Sequence, residues 1–263
     1  IADVYRKLGL YDSAEQLFAE VLEIRQRELP PGHLDLAETL NGLAALRAQL
    51  GRFGEAAPLF EQALALRQAA LPEDDLRIAM SLSNVATLYL DLGRIDEAKS
   101  LFTRCVEIVE KHEGEPTQDL LVAFNNLATL YYETEEFDAA EPLLRSFLEH
   151  QRGAHGDRHP YVAMALENLA EVREKLGAFD DAEGLYDEAL AILEEVLGPD
   201  HPEFAYGLSG LARLRVAQGR PDDAATLYRR ALAIQEAKLP EDHPERQASA
   251  EGLAELLTAT EPL

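Results

Sequence analysis

The protein has 263 residues, with 24 Lys and Arg against 49 Asp and Glu, so its formal net charge is −25. This charge repels nucleic-acid phosphates and anionic membrane surfaces, and we expect neither as a partner. The sequence has one cysteine, no Asn-X-Ser/Thr sequon and no apolar run near the roughly 18 residues that span a bilayer, so we expect a reducing, cytoplasmic environment.

The sequence repeats itself with a period of 42 residues. Two positions of the period always hold alanine and a third always holds leucine. The alanines are Ala2, Ala44, Ala86, Ala128, Ala170, Ala212 and Ala254, and Ala14, Ala56, Ala98, Ala140, Ala182 and Ala224. The leucines are Leu17, Leu59, Leu101, Leu143, Leu185 and Leu227. A period of this length predicts an array of stacked repeats.

Each period contains two blocks of apolar residues at helical spacing, which we call helix A and helix B. The chain starts inside helix A of a partial repeat, residues 1–33, which indicates a segment of a longer protein. Full repeats begin near residues 34, 76, 118, 160 and 202, and a final or capping helix spans 244–258. One helix pair cannot bury its apolar faces alone, so the pairs are predicted to stack as a single solenoid over residues 1–263.

Glycine occupies the turn between helices A and B in five repeats, where a helix end favours a left-handed residue. These glycines are Gly9, Gly51, Gly93, Gly177 and Gly219. Glu135 stands at this position in the remaining repeat, which predicts the least regular turn of the array.

The connections between repeats carry histidine at one position of the period, namely His33, His159, His201 and His243. Their spacing places one histidine in each turn, too far apart for one ion, so we predict a turn role before the helix start and no metal site. His155 and His159 are four residues apart, but Gly156 and Pro160 predict a loop there instead of a zinc-binding helix face. Cys105 falls in an apolar position and is predicted to be a buried, unreactive thiol.

The repeat resembles the tetratricopeptide repeat, as the spacing of Val85, Ala86, Tyr89, Gly93, Ala98, Phe102 and Cys105 illustrates. The period of 42 residues, with NNLATLYY, GRIDEA and LGPDHP, resembles more narrowly the kinesin-light-chain type of this repeat. The resemblance covers essentially the whole chain. It implies an all-α, right-handed superhelical solenoid of antiparallel helix pairs, with the A helices on the concave surface.

Under this resemblance, the polar residues that flank the apolar-alanine pair of each A helix face the concave groove. A carboxamide both donates and accepts hydrogen bonds, so a row of them suits an extended peptide backbone. The predicted peptide-binding residues are Asn41, Ser83, Asn84, Thr87, Asn125, Asn126, Thr129, Tyr132, Asn168, Glu171, Lys175, Tyr206 and Arg213. Glu167 and Ser209 fall on the same predicted surface.

The sequence leaves two readings open on this surface. Each asparagine either faces a peptide, or it satisfies a neighbouring helix end or faces water. Gly42, Gly210 and Gly252 replace asparagine in other repeats, where they mark either close helix packing or room for a ligand side chain. Because the surface is rich in acid, a neutral or basic peptide is the expected partner, and the Lys/Arg carboxylate clamp of some tetratricopeptide proteins is not recognisable.

We therefore predict a protein-binding scaffold or adaptor that is not an enzyme and needs no cofactor. No phosphate loop, dinucleotide fingerprint or catalytic triad pattern interrupts the period. Asp180, Asp181, Asp222 and Asp223 begin B helices, where the helix dipole favours acid. The alternative is a sensor or regulatory array of a larger bacterial enzyme or signalling protein with kinase, caspase-like protease or NTPase domains. A third possibility is self-association, which the charge of −25 opposes.

Overall fold

The structure, a computed structural model, describes residues 1–112 and 116–259. Over these ranges the chain forms α-helices joined by short turns, without strands. The helices are α1 (Ala2–Lys7), α2 (Tyr11–Glu28), α3 (Leu34–Gln49), α4 (Phe53–Ala70), α5 (Leu76–Asp91), α6 (Ile95–Glu110), α7 (Gln118–Glu133), α8 (Phe137–His155), α9 (Pro160–Lys175), α10 (Phe179–Val196), α11 (Pro202–Ala217), α12 (Pro221–Lys238) and α13 (Pro244–Ala259).

Odd-numbered helices are the A helices of the period and even-numbered helices are the B helices. The A helices from α3 to α13 begin at the positions where the period places the start of each repeat. The last four residues, which follow the final helix, and part of the HEGEPTQ connection lie outside the described residues.

Contacts between residues divide the chain into two compact units, unit 1 from Ile1 to Leu130 and unit 2 from Tyr131 onward. Within unit 1, α1 to α6 pack on one another in chain order, and α3 also contacts α5. Within unit 2, α8 to α13 pack in chain order, and α11 also contacts α9 and α13. Helices α3 and α5 of unit 1, and α9, α11 and α13 of unit 2, therefore lie side by side. We call the outer surface of the A helices of each unit the A-helix face of that unit.

Alanine and aromatic residues together fill the space between the helices. Both alanine positions of the period are buried from Ala14 to Ala224. A methyl group at these positions lets neighbouring helices approach closely, while large side chains fill the remaining volume. Phe102 and Phe124 are completely buried in unit 1, as are Phe147 and Tyr186 in unit 2. The small and aromatic residues that recur with the period are thus the residues that pack between helices.

The glycine turns are confirmed as left-handed helix ends. Gly93 has φ of +71°, its N–H donates to Leu90 O at 2.9 Å, and the Arg94 N–H donates to Tyr89 O at 2.8 Å. Glu135 adopts the same conformation with φ of +59°. The equivalent hydrogen bonds, from Glu135 to Tyr132 O at 3.0 Å and from Glu136 to Tyr131 O at 2.7 Å, are also kept. The prediction of an irregular turn is therefore wrong, because the six-residue hydrogen-bonded loop imposes its geometry on glutamate.

Replacing Glu135 by glycine should stabilise the protein by about 1 kcal/mol, because left-handed backbone costs an L-residue about 1–2 kcal/mol that glycine does not incur. Urea unfolding followed by circular dichroism measures this change. The matched control is Gly177→Glu, which places glutamate in the equivalent turn of the next repeat and should destabilise by a similar amount. If Glu135→Gly instead lowers the free energy of unfolding, the left-handed backbone at Glu135 is not strained.

The histidines of the inter-repeat turns act as helix N-caps, which confirms their predicted turn role. Nδ1 of His33, His159 and His201 accepts from the backbone N–H two residues later, at 3.1–3.2 Å. Nδ1 of His243 accepts from Glu245 at 3.4 Å, and Asp75 provides a carboxylate at the same position of the period. An N–H that begins a helix has no partner inside the helix, so these acceptors stabilise the helix starts.

Candidate functional site

Two asparagines on the A-helix face of unit 1 are joined by a hydrogen bond. Asn84 Nδ2, in α5, donates to Asn41 Oδ1, in α3, at 2.9 Å, and both residues are half-buried. The bond uses one donor of Asn84 and the acceptor of Asn41. Because each amide has further hydrogen-bonding capacity, the Asn41 nitrogen and the Asn84 oxygen remain for a ligand. At this pair, an internal hydrogen bond and contact with a peptide are therefore compatible.

The remaining predicted residues of unit 1 differ in accessibility. Thr87 and Thr129 are exposed, and their hydroxyls donate to the carbonyls four residues earlier, both at 3.0 Å. Asn125 and Asn126 are half-buried in α7. Ser83 is only 4% exposed, so its side chain lies beneath the surface and we remove it from the proposed contact residues. The helical period predicts the angle of a side chain around the helix axis but not its depth.

Three predicted residues of unit 2 meet around Glu171 of α9. The Tyr206 hydroxyl donates to Glu171 Oε1 at 3.3 Å, and the Arg213 guanidinium forms a close ion pair with the same oxygen. Both partners come from α11. Burial, and next the Glu171 carboxylate, raise the pKa of the Tyr206 hydroxyl. The Arg213 charge is therefore largely offset within the face, and a ligand carboxylate gains little from it.

The other predicted residues of unit 2 lie around this group. Tyr132 is half-buried and packs edge-on against Phe137, with ring centroids 5.5 Å apart. Asn168 is half-buried in α9, and Lys175 is exposed at the end of the same helix. Ser209 is buried, and its hydroxyl lies 2.8 Å from the Ser249 hydroxyl of α13. Unit 2 thus presents a mixed polar and aromatic face with few exposed cations.

Glu167, which the period places on the same surface, is instead a buried acid. Its side chain in α9 is 2% exposed, and Oε1 has no hydrogen-bond partner in the described part of the chain. Burial raises its pKa well above the ordinary value, and the nearby carboxylates of Glu203 and Glu171 act in the same direction. A Cβ at Gly207 would lie 2.5 Å from Glu167 Oε1, so this glycine makes room for the carboxyl group.

The glycines at the asparagine position serve close packing. A Cβ on Gly42 would lie 2.5 Å from the Phe18 ring. A Cβ on Gly210 would lie 2.6 Å from Tyr186, and one on Gly252 would lie 2.7 Å from Tyr228. Each ring comes from the preceding B helix and already occupies the space above the glycine. The structure therefore decides the open choice at Gly42, Gly210 and Gly252 in favour of helix packing.

A cavity that the sequence pattern does not predict lies between α11 and α13. It has a volume of about 490 Å³ and lies on the A-helix face of unit 2. Its lining residues are Arg213, Val216, Tyr228, Ala248, Glu251, Gly252, Glu255 and Leu256. The sequence predicts only a final or capping role for α13. The small residues Ala248 and Gly252, four apart on one side of α13, were the available signal.

Cys105 and the histidine pair fit structural roles. Cys105 is completely buried, as predicted, and burial raises the pKa of its thiol to about 12. The rings of His155 and His159 stack with centroids 4.4 Å apart, while Nδ1 of His159 already accepts from Tyr161. In the described ranges, no three His, Cys, Asp or Glu side chains are placed to hold a metal ion. Nor is any described helix long and apolar enough to cross a membrane.

Comparison with known proteins agrees with this architecture. A sequence model described as tetratricopeptide repeat matches residues 1–69, 44–111, 77–152, 119–195 and 161–237. BtubC (BKLC) from P. vanneervenii is 25% identical, with a TM-score of 0.71 over 89% of this chain and 92% of that chain. A putative kinesin light chain from P. anserina with nearly identical repeats is also 25% identical, with a TM-score of 0.66 over 78% and 97%. A search of curated proteins found no match.

One larger structure also contains a similar array. It is a signal transduction ATPase of the STAND class with a tetratricopeptide repeat sensor, from Pyrococcus horikoshii. The two chains are 13% identical, with a TM-score of 0.74, and the match covers all of this chain and 38% of that chain. At this identity the likeness shows the fold alone. The predicted all-α array of antiparallel helix pairs is confirmed.

Proposed function

Since this chain belongs to the tetratricopeptide repeat family, with an array of the kinesin-light-chain type, we propose that it binds a peptide or a partner's extended segment along the A-helix face of unit 1 or of unit 2. Arrays of this family generally bind proteins or peptides. The observation that carries the proposal is the Asn41–Asn84 pair, in which two half-buried amides from successive repeats sit side by side. The function is that of a scaffold or adaptor without catalysis.

The amides favour recognition of a peptide backbone. A backbone presents alternating N–H and C=O groups, and an asparagine amide can accept from the first and donate to the second. Asn84, Asn125 and Asn126 lie on α5 and α7 of unit 1, with Thr87 and Thr129 exposed beside them. Such contacts do not depend on the peptide's side chains, so selectivity must come from elsewhere on the face.

Charge favours a neutral or basic partner. The net charge is −25, and Arg213, a cation of the unit 2 face, is already paired with Glu171. Long-range attraction raises the association rate of cationic peptides and repels anionic ones. The affinity of a basic peptide should therefore fall as salt rises, and an affinity that is independent of salt would indicate apolar recognition.

A peptide library displayed on phage, selected against the full chain, tests the proposal. Enriched peptides are synthesised, and their affinities are measured by calorimetry for the wild type and for Asn84→Ala/Asn126→Ala. We expect the double substitution to weaken binding at least tenfold, about 1.4 kcal/mol, because two amide contacts are lost.

The matched control is Gln16→Ala/Gln62→Ala, which removes two exposed carboxamides from the B helices α2 and α4. This control should leave affinity within about twofold of wild type. Equal weakening in both variants, or unchanged binding after loss of Asn84 and Asn126, would place the contact surface elsewhere. Circular dichroism melts of all variants exclude unfolding as the cause.

A second candidate is a sensor or regulatory array within a larger enzyme or signalling protein. The match to 38% of the P. horikoshii ATPase, a protein described as having a tetratricopeptide repeat sensor, is the reason to keep this candidate. In that case the A-helix face binds either the signal or another domain of the same protein. The reading frame that encodes this chain tests the alternative directly, since kinase, protease or NTPase sequences on either side would support it and their lack would remove it.

A further inference from the structure

The end of α12 contains a glutamine whose side chain is buried without partners. Gln235 is completely buried, and neither Nε2 nor Oε1 has a hydrogen-bond partner in the described ranges. Leaving a buried polar group unpaired is unfavourable, so such groups in native proteins call for an explanation. Gln235 lines a cavity of about 80 Å³ between α11, α12 and α13. The amide therefore has space beside it for a polar group.

The equivalent position in other repeats indicates which chemical group fits this space. Gln235 occupies the position held by Arg25 and Arg67 in the first two repeats. Arg25 Nη1 donates to Asp35 O at 2.6 Å and to Thr39 Oγ1 at 2.7 Å.

Arg67 Nη1 donates in the same way to Arg77 O at 3.1 Å and to Ser81 Oγ at 2.7 Å. In both repeats, a guanidinium from the end of helix B is held by the first turns of the next helix A.

The same acceptor positions are present around Gln235. Glu245 and Ser249 of α13 stand 42-residue multiples from Asp35 and Thr39, and both line the cavity. Gln235 is shorter than arginine, so its amide stops short of the place that the guanidinium fills in the earlier repeats. In the repeat of Gln151, which occupies the same position, Ala165 stands at the period position of the hydroxyl residue. Only the last of these repeats combines the shorter side chain with a hydroxyl acceptor and a cavity.

The cavity adjoins the larger cavity on the A-helix face of unit 2. Arg213, Tyr228 and Ala248 line both this cavity and the larger cavity of about 490 Å³ on that face. Glu251 and Glu255 line the larger cavity, and Glu245 lines the inner one. Against these carboxylates stands Arg213, whose charge is paired with Glu171. The approach to Gln235 therefore carries excess negative charge and favours a cationic occupant.

We propose that the cavity at Gln235 binds the guanidinium of an arginine in the partner segment, replacing the internal arginine of the earlier repeats. Gln235 Oε1, Ser249 Oγ and the Glu245 carboxylate accept from its fork of N–H donors, and the Tyr206 and Tyr228 rings line the same space. Lysine, with a point charge in place of a planar fork, fits these acceptors less well. This inference rests on the proposed peptide-binding function and adds the side chain that it selects.

N-acetyl-L-arginine amide, titrated into the full chain and followed by NMR chemical shifts, tests the pocket without a peptide. We expect saturable shifts at Gln235 and Ser249, with at least tenfold weaker binding of the lysine and citrulline analogues. Gln235→Arg restores the internal guanidinium and should abolish binding while raising the melting temperature. Gln235→Leu, which copies Leu193 of the same position, removes the Oε1 acceptor and should weaken binding if the arginine variant does not fold.

Three outcomes would overturn the pocket. Equal affinity for arginine and citrulline removes the charge requirement, unchanged binding in both Gln235 variants removes the site, and the lack of any saturable shift leaves a cavity that holds only water. Peptides that still bind through Asn84 and Asn126 in that last case would preserve the proposed function. Conversely, saturable binding of the arginine probe, together with a phage selection that yields no binding peptide, would support the pocket and refute the proposed peptide-binding function.

Discussion

Gly210→Ala is expected to destabilise the protein by about 1–3 kcal/mol, although alanine is ordinarily the better helix former. Gly210 lies inside α11, where an added Cβ would sit 2.6 Å from Tyr186 Cε1 and 2.9 Å from its hydroxyl oxygen. Tyr186 is completely buried, so its rigid ring has no solvent-filled space into which it can move. Relief of the overlap requires a shift of α11 relative to α10, which loosens the packing of both repeats.

Gly184→Ala provides the matched control for this prediction. Gly184 is a helical glycine in α10, with no other atom within 4 Å of an added Cβ. The control should stabilise the protein by about 1 kcal/mol through helix propensity alone. Urea unfolding of the two variants should therefore give changes of opposite sign in the free energy of unfolding. If Gly210→Ala also stabilises, the ring does not hold α11 as closely as the structure describes.

Glu167→Gln is expected to stabilise the protein at neutral pH by about 1–3 kcal/mol, because it replaces a buried acid by a neutral group of the same shape. Glu167 is 2% exposed and its pKa is raised well above the ordinary value, first by burial and then by Glu203, Glu171 and Glu245, with Arg213 opposing. The folded state therefore keeps the Glu167 proton over a range of pH in which the unfolded state has lost it.

The sign of the pH dependence follows from this difference in proton binding. Below the unfolded pKa of about 4.3 both states are protonated, and Glu167 has no ionisation cost. As pH rises from there towards the raised folded pKa, the wild type loses stability that the glutamine variant retains, and above the folded pKa the loss is complete. The advantage of Glu167→Gln should thus be small at pH 5 and larger at pH 8.

Unfolding titrations at both pH values measure the effect, with Glu171→Gln as the control. Glu171 forms the ion pair with Arg213, so neutralising it should destabilise the protein where Glu167→Gln stabilises it. A gain for Glu167→Gln that is equal at pH 5 and pH 8 would show that the Glu167 carboxyl is not the cause. A loss at pH 8 would show that its charge is used in the fold.

The burial of the candidate site residues was predicted less well than the helices, for a reason visible at particular positions. Asn41, Asn84, Tyr206 and Arg213 take part in contacts between neighbouring A helices. Ser83 and Glu167, predicted for the same surface, are buried. A helical period fixes the angle of a side chain around its axis, but burial depends on how close the next helix lies.

Gln235 was missed because its signal lies in a B helix. The polar residues Arg25, Arg67, Gln151 and Gln235 recur at one position of the period among apolar neighbours, and this pattern was available from the sequence. What the pattern alone does not disclose is that Arg25 and Arg67 have acceptors while Gln235 has none in the described chain. That contrast requires the distances between helices.

The sequence by itself determined the helix pairs, their turns and the face that each polar residue takes, because these depend on neighbours within about one repeat and recur with the period. The glycine turns and histidine caps are local interactions of this kind. Only the tertiary structure decided that Gly210 receives a tyrosine ring, that Glu167 is buried, and that Gln235 borders a cavity. Each of these is set by the separation of helices from different repeats, where a difference of one side chain determines whether space is filled or open.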